Sequence, residues 1–151
     1  MVSMAPLVCL IAAFVVFRLL GMVIPHFSDW HMALRAALGI MFLLTASAHW
    51  GKRRADLVRM VPDGFGNPGL WVTLTGIAEI ALAAGLQAPR LAPVAAMLAA
   101  LMLCCLFPAN VRAAREHLTI AGRPVLSLPP RLLIQLAFIA AAAGSVWPRR
   151  R

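Results

Sequence analysis

The sequence predicts an all-α protein, a polytopic transmembrane helix bundle of four core helices plus one extra helix at the N-terminus. Two observations carry that prediction. Of the 151 residues, 62% are hydrophobic and only 13% are charged, whereas soluble domains run near 45–50% apolar and about 25% charged. The apolar residues also gather into five stretches separated by short connections, each close to the length a helix needs to cross a bilayer. A third observation concerns function. Glu79 is the one charge inside the uncharged run from Gly69 to Gln87. A helical rise of about 1.5 Å per residue puts it roughly 15 Å below the point of entry, near the membrane midplane. A carboxylate at that depth costs about 2.5–3.5 kcal/mol and normally faces a partner or a wet cavity.

The first span is Ala5 to Ile24, interrupted by Arg18 and ended by Pro25. Its start, MVSMAP, carries no basic side chain, so it reads as a span and not as a signal peptide. Arg18 is two turns from Pro25 and can reach the interface, with Asp29 in the following loop as its expected partner. The second span runs from about Trp30 to Trp50, with Arg35 one turn inside it. The third is Gly69 to Gln87. The fourth is about Leu91 to Phe107 and is expected to end at the FPAN segment, Phe107 to Asn110. The fifth is about Arg131 to Trp147, opened by Pro129 and Pro130 and closed by Pro148. Proline suits the first turn of a helix and opposes its continuation, which gives these boundaries a physical cause. Small residues four apart, such as Ala95 with Ala99 and Ala141 with Ser145, let neighbouring helices approach closely.

The formal net charge of +9 arises from 14 Lys and Arg against 5 Asp and Glu. Most of the basic residues flank apolar stretches, where they anchor helix ends against anionic head groups, and no nucleic-acid module is visible. Five spans place the loops Trp50–Gly69 and Phe107–Arg131 on one face, here face X. It carries Lys52, Arg53, Arg54, Arg59, Arg112, Arg115 and Arg123, against Arg90, Arg149, Arg150 and Arg151 opposite, with Arg18 and Arg35 in reach of that side. Counting positive charge favours a cytoplasmic face X and an external C-terminus.

The same alternation gathers the polar residues of the spans. His49 and Asn110 end the second and fourth spans at face X, and Arg131 and Gln135 open the fifth one turn apart. Glu79 is deeper, with Thr75 one turn above it. These six side chains can line one cavity that opens toward face X, and they form the expected ligand-binding set. Each also has a plainer role: His49 stacked with Trp50 at the interface, Asn110 as a helix C-cap, Arg131 as an anchor, Gln135 as an interhelical hydrogen-bond donor, and Glu79 as the ion-pair partner of Arg131. A carboxylate near an imidazole could move protons to and from a lipophilic substrate, or hydrogen-bond the carbonyl of a quinone-like molecule, and the sequence does not choose. Glu79 and His49 are therefore the catalytic candidates. Cys9, Cys104 and Cys105 offer no metal spacing, and adjacent helix positions point about 100° apart, so Cys104 and Cys105 do not form an ordinary disulfide. No metal site and no Ser-His-Asp, Walker, GxGxxG or haem pattern is present.

TASAHW (Thr45 to Trp50), RMVPDGFGNPG (Arg59 to Gly69), LTGIAEIALAAGL (Leu74 to Leu86), LFPANVRAA (Leu106 to Ala114) and RLLIQLAFIAAA (Arg131 to Ala142) together resemble the DoxX-like family of small bacterial membrane proteins. TG-x-x-E and FPAN are the most specific parts. The chain departs from that pattern in having Trp50 where Phe is frequent, and in its extra N-terminal span. The resemblance implies a multi-pass protein of the bacterial inner membrane. It also implies recurrent polar positions at Glu79, His49, Asn110, Arg131 and Gln135, and a link to quinone-coupled oxidation. The expectation is thus a redox- or quinone-associated accessory subunit, or a protein that binds a small lipophile. Its surroundings would be the lipid bilayer, a redox partner protein and a bound quinone or lipid, with no nucleic acid and no other cofactor. The alternatives are a stand-alone isomerase-like membrane enzyme and a purely structural scaffold.

Overall fold

The computed structural model describes residues 4–147, and among these the protein is all-α apart from one minimal hairpin. The helices are α1 (Ala5–Leu20), α2 (Trp30–Ser47), α3 (Arg54–Met60), α4 (Pro68–Gln87), α5 (Ala92–Arg115) and α6 (Leu128–Gly144). Strands β1 (Thr119–Ile120) and β2 (Arg123–Pro124) pair antiparallel between α5 and α6. Three helices, α2, α4 and α5, are long and apolar enough to cross a membrane, and α1 and α6 are shorter apolar helices. Pro148, expected to close the last span, and Arg149 to Arg151 lie outside the described residues.

Local chemistry sets most of the helix starts. The Asp29 carboxylate accepts from the His31 backbone N–H at 3.0 Å and caps α2. Asn67 does the same for α4 through Leu70 N–H at 3.2 Å, with Pro68 in the first turn. In α6 the prolines 129 and 130 sit inside the first turn, so the helix begins three residues before Arg131. α1 stops at Leu20, and a 3-10 turn at Pro25–Phe27 leads to α2. Arg18 donates to the carbonyls of Phe27 and Ser28, which closes that turn by backbone capture where an ion pair with Asp29 was expected.

The largest departure from the sequence reading is α5. FPAN does not end it: the helix passes through Pro108 and continues to Arg115. Pro108 supplies no N–H to the Cys104 carbonyl four residues back, yet a single missing bond does not stop a long helix held on both sides. The loops at face X are also folded. Arg112 donates to the Val61 carbonyl and to Asp63 at 2.9 Å, which pins the chain after α3 to the end of α5. Asp56 in α3 accepts from the Ala121 backbone N–H at 2.8 Å and pairs with Arg59, which reaches the Thr119 carbonyl at 3.3 Å.

α2 packs against α1, α4 and α6, while α5 packs against α4 and α6. The core between them centres on Leu38, Met41, Phe42, Leu82, Leu86 and Phe138, with Ala95, Ala96, Ala99 and Ala142 as thin contacts. The outer surfaces remain apolar: Val8, Ile11, Val15, Leu43, Ile77, Met97, Leu101 and Leu133 are all exposed. A belt of this kind is a liability in water and the expected covering for a bundle set in lipid. At the end away from face X, Arg35 Nε donates to the Ser145 carbonyl at 2.9 Å and Gln87 Nε2 to the Arg35 carbonyl at 3.0 Å, tying α2, α4 and α6.

Candidate functional site

The six polar residues read from the sequence all line a single cavity of about 570 Å³. Its walls come from the end of α2, the start of α4, the middle of α5 and the start of α6, with Ala5 and Pro6 from the start of α1. Leu57, Met60 and Ile120, from α3 and the hairpin, also line it. The surface is mostly aliphatic and aromatic with a few polar groups, in the size range of small-molecule sites.

Two polar groupings face it. In the first, His49 Nδ1 lies 2.6 Å from the Val72 carbonyl, with Thr75 Oγ1 at 3.4 Å. A ring nitrogen against a carbonyl must carry hydrogen, so Nδ1–H donates to Val72. The other nitrogen, Nε2, lies 3.6 Å from Glu79 Oε2. Two lone pairs at that separation repel, and one proton between them, on the imidazole or on the carboxyl, removes the conflict. Glu79 is 6% exposed and its Oε2 has no hydrogen-bond partner among the described residues.

The second grouping joins α5 to α6. Gln135 Nε2 donates to the Leu103 carbonyl at 2.7 Å, and Gln135 Oε1 accepts from Asn110 Nδ2 at 2.9 Å. Asn110 Oδ1 in turn accepts from Arg131 Nη2 at 2.5 Å. Gln135 is therefore spent on interhelical bonds, and Asn110, inside a helix, is no C-cap. Arg131 is 7% exposed, and its Nε and Nη1 are buried without partners. The expected alternative of a Glu79–Arg131 ion pair is not made: the carboxylate is beside His49 and the guanidinium is on Asn110.

The local sequence explains the first grouping. Residues Val72, Gly76, Glu79, Leu82, Ala83 and Leu86 form the buried stripe of α4, at helical spacing. Gly76 lets the end of α2 approach: a Cβ there would lie 2.7 Å from His49 Cβ and 2.8 Å from the Trp50 ring. The TG-x-x-E run thus supplies a hydroxyl beside the imidazole, a gap for its ring and the carboxylate below it. Sequence reasoning missed Gly76, although a glycine one turn before a buried acid was a visible sign. It also missed Arg54, whose guanidinium bonds the carbonyls of His49 (2.8 Å) and Gly69 (2.9 Å) and the Thr73 hydroxyl (2.9 Å). Nothing in the sequence separates Arg54 from its neighbours Lys52 and Arg53.

Outside the spans, the Ala121 N–H, with Arg59 assisting, holds the Asp56 carboxyl below its ordinary range. Cys9, Cys104 and Cys105 are free thiols, and no cluster of His, Cys, Asp or Glu suited to a metal occurs among the described residues.

Residues 38–146 match the profile of a family described as "Domain of unknown function (DUF8561)". The chain belongs to that family. The match holds the six polar cavity residues read from the sequence and starts within α2, leaving α1 outside it. Neither the curated proteins nor the solved structures compared with the chain give a match.

Proposed function

We propose that this chain is a multi-pass protein of the bacterial inner membrane that binds a small lipophile with a polar head in the cavity at face X. One observation carries the reading. Glu79 Oε2 and Arg131 Nε and Nη1 are buried, belong to residues lining the same cavity and lack hydrogen-bond partners among the described residues. Leaving such groups unsatisfied costs about 1–3 kcal/mol each, and more when charged. An occupant that accepts from Arg131 and shares hydrogen with Glu79 would recover that cost, and the aliphatic walls suit a hydrophobic body. A quinone or quinol meets this description, in keeping with the resemblance to DoxX-like proteins. The protein would then serve as a redox-associated accessory subunit beside a partner oxidoreductase. The five-span arrangement, with four core helices and α1 as an additional one, belongs to this proposal, and the family match beginning in α2 supports it.

A second reading is favoured by the His49 Nε2–Glu79 Oε2 separation of 3.6 Å. That pair could act as general acid and base on a lipophilic substrate, making the chain an isomerase-like enzyme on its own. The test begins with protein purified from native membranes, extracted with organic solvent and analysed by mass spectrometry. A stoichiometric quinone or other lipophile in the wild type, lost in Glu79→Gln, supports binding. Turnover of a lipophile by the purified chain alone would favour the enzyme. An empty extract, with no saturable binding of an added short-chain quinone, would leave a structural scaffold.

A further inference from the structure

The buried cation of the cavity has no anion beside it among the described residues, and this specifies the head group of the occupant. Arg131 is 7% exposed and carries a permanent positive charge. Among the described residues no carboxylate comes within salt-bridge distance of it, and its one hydrogen-bond partner is the neutral Asn110 amide. Glu79 does not pair with Arg131, because its carboxyl lies beside His49 Nε2 at 3.6 Å. Arg53, the other cation lining the cavity, is exposed and solvated. One buried cation is therefore left over, with N–H groups on Nε and Nη1 turned to no protein acceptor. Buried charges are costly when isolated and are normally paired.

We propose that the occupant is a monoanionic amphiphile of the carboxylate class. Its carboxylate would accept from Arg131 Nη1, and its chain would lie along Met102, Leu106, Ile134 and Phe138, which line the same cavity. Asn110 acts as a positioning residue. By accepting from Nη2 it fixes the guanidinium and leaves the other nitrogens free for the head. A monoanion matches the single uncompensated charge, whereas a dianionic phosphate monoester brings one charge too many and a neutral head leaves the cation unpaired. The inference rests on the cavity being a lipophile site and departs from the quinone reading in replacing a neutral head with a monoanionic one.

The test measures saturable binding of radiolabelled dodecanoate, dodecan-1-ol and dodecyl phosphate to the full-length protein in mild detergent at neutral pH. Wild type is expected to bind dodecanoate about tenfold or more tighter than the alcohol, the scale of one charge-assisted pair. Arg131→Gln should erase that preference, bringing dodecanoate to the affinity of the alcohol. Should the Gln variant not fold, Arg131→Lys is decisive: the anion preference survives with the charge, but dodecanoate binds more weakly because the fork on Asn110 is lost. Equal or tighter binding of the alcohol, preference retained in Arg131→Gln, or undiminished dodecanoate affinity in Arg131→Lys would overturn the proposal and leave a neutral-lipophile site. Tighter binding of dodecyl phosphate would overturn the carboxylate assignment. If none of the three probes binds saturably to wild type, the lipophile site itself falls.

Discussion

At the scale of single residues, Glu79 and Gly76 carry the sharpest consequences. Glu79→Gln keeps the shape of the side chain and removes the carboxylate beside His49. Breaking a buried ion pair costs about 3–5 kcal/mol, but Glu79 accepts no hydrogen bond at Oε2, and Arg131 is engaged elsewhere. The variant should therefore fold, losing under about 1.5 kcal/mol, and lose ligand binding or turnover. Thermal unfolding in detergent beside a binding assay checks this. A severe folding defect rescued by Arg131→Leu would make Glu79 half of a structural pair. Gly76→Ala tests the neighbouring geometry, because the added carbon would stand 2.7 Å from His49 Cβ. The end of α2 must move or the imidazole must turn, and overpacking of this kind costs about 1–3 kcal/mol. The expected outcome is a lower melting temperature together with impaired binding. Binding unchanged at wild-type stability would show that the close approach does not position His49.

At the scale of elements, the sequence made the apolar helices legible and hid the polar structure between them. The α4 boundary was readable to one residue, because Asn67 and Pro68 mark its start and apolar residues continue to Gln87. α5 was misjudged at Pro108, since proline is a sound stop signal only where nothing else holds the helix; here α4 and α6 flank it. Asn110 changed role for the same reason. α3 and the β1–β2 hairpin were invisible because both are too short to show a period, and they hold together by side-chain-to-backbone bonds between distant residues. That joint has a pH dependence with a definite sign. The folded Asp56 carboxyl titrates below its unfolded value of about 3.9. Its contribution is therefore complete above that value and disappears as pH falls through the lower, folded value. Amide exchange at Ala121, corrected for the intrinsic effect of acid, should accelerate below about pH 4, and Asp56→Ala should show the faster exchange at neutral pH. Protection of Ala121 that is independent of both acid and Asp56 would contradict the assignment.

For the whole molecule, the question left by the geometry is whether the two shorter apolar helices also cross the membrane. α1 has 16 residues and α6 has 17, or about 24–26 Å of helix against a hydrocarbon core near 30 Å. The deficit is modest: bilayers thin around short spans at fractions of a kcal/mol per Å. Both helices expose aliphatic side chains, Val8, Ile11, Val15 and Leu19 on α1 and Leu132, Leu133 and Leu136 on α6, which water would disfavour. The cavity supplies an independent argument. It is lined by the start of α1, the end of α2, the start of α4, the middle of α5 and the start of α6, the arrangement expected if these helices cross in alternating directions. Five crossings would put Lys52, Arg53, Arg54, Arg59, Arg112, Arg115 and Arg123 on one side, and positive charge favours the cytoplasm. A reporter fused after Arg115 should then behave as cytoplasmic and one at the C-terminus as external. Reversal of both assignments would invert the protein while keeping the five crossings. Two cytoplasmic reporters would mean that α6 does not cross, and the cavity would then lack a wall set in lipid.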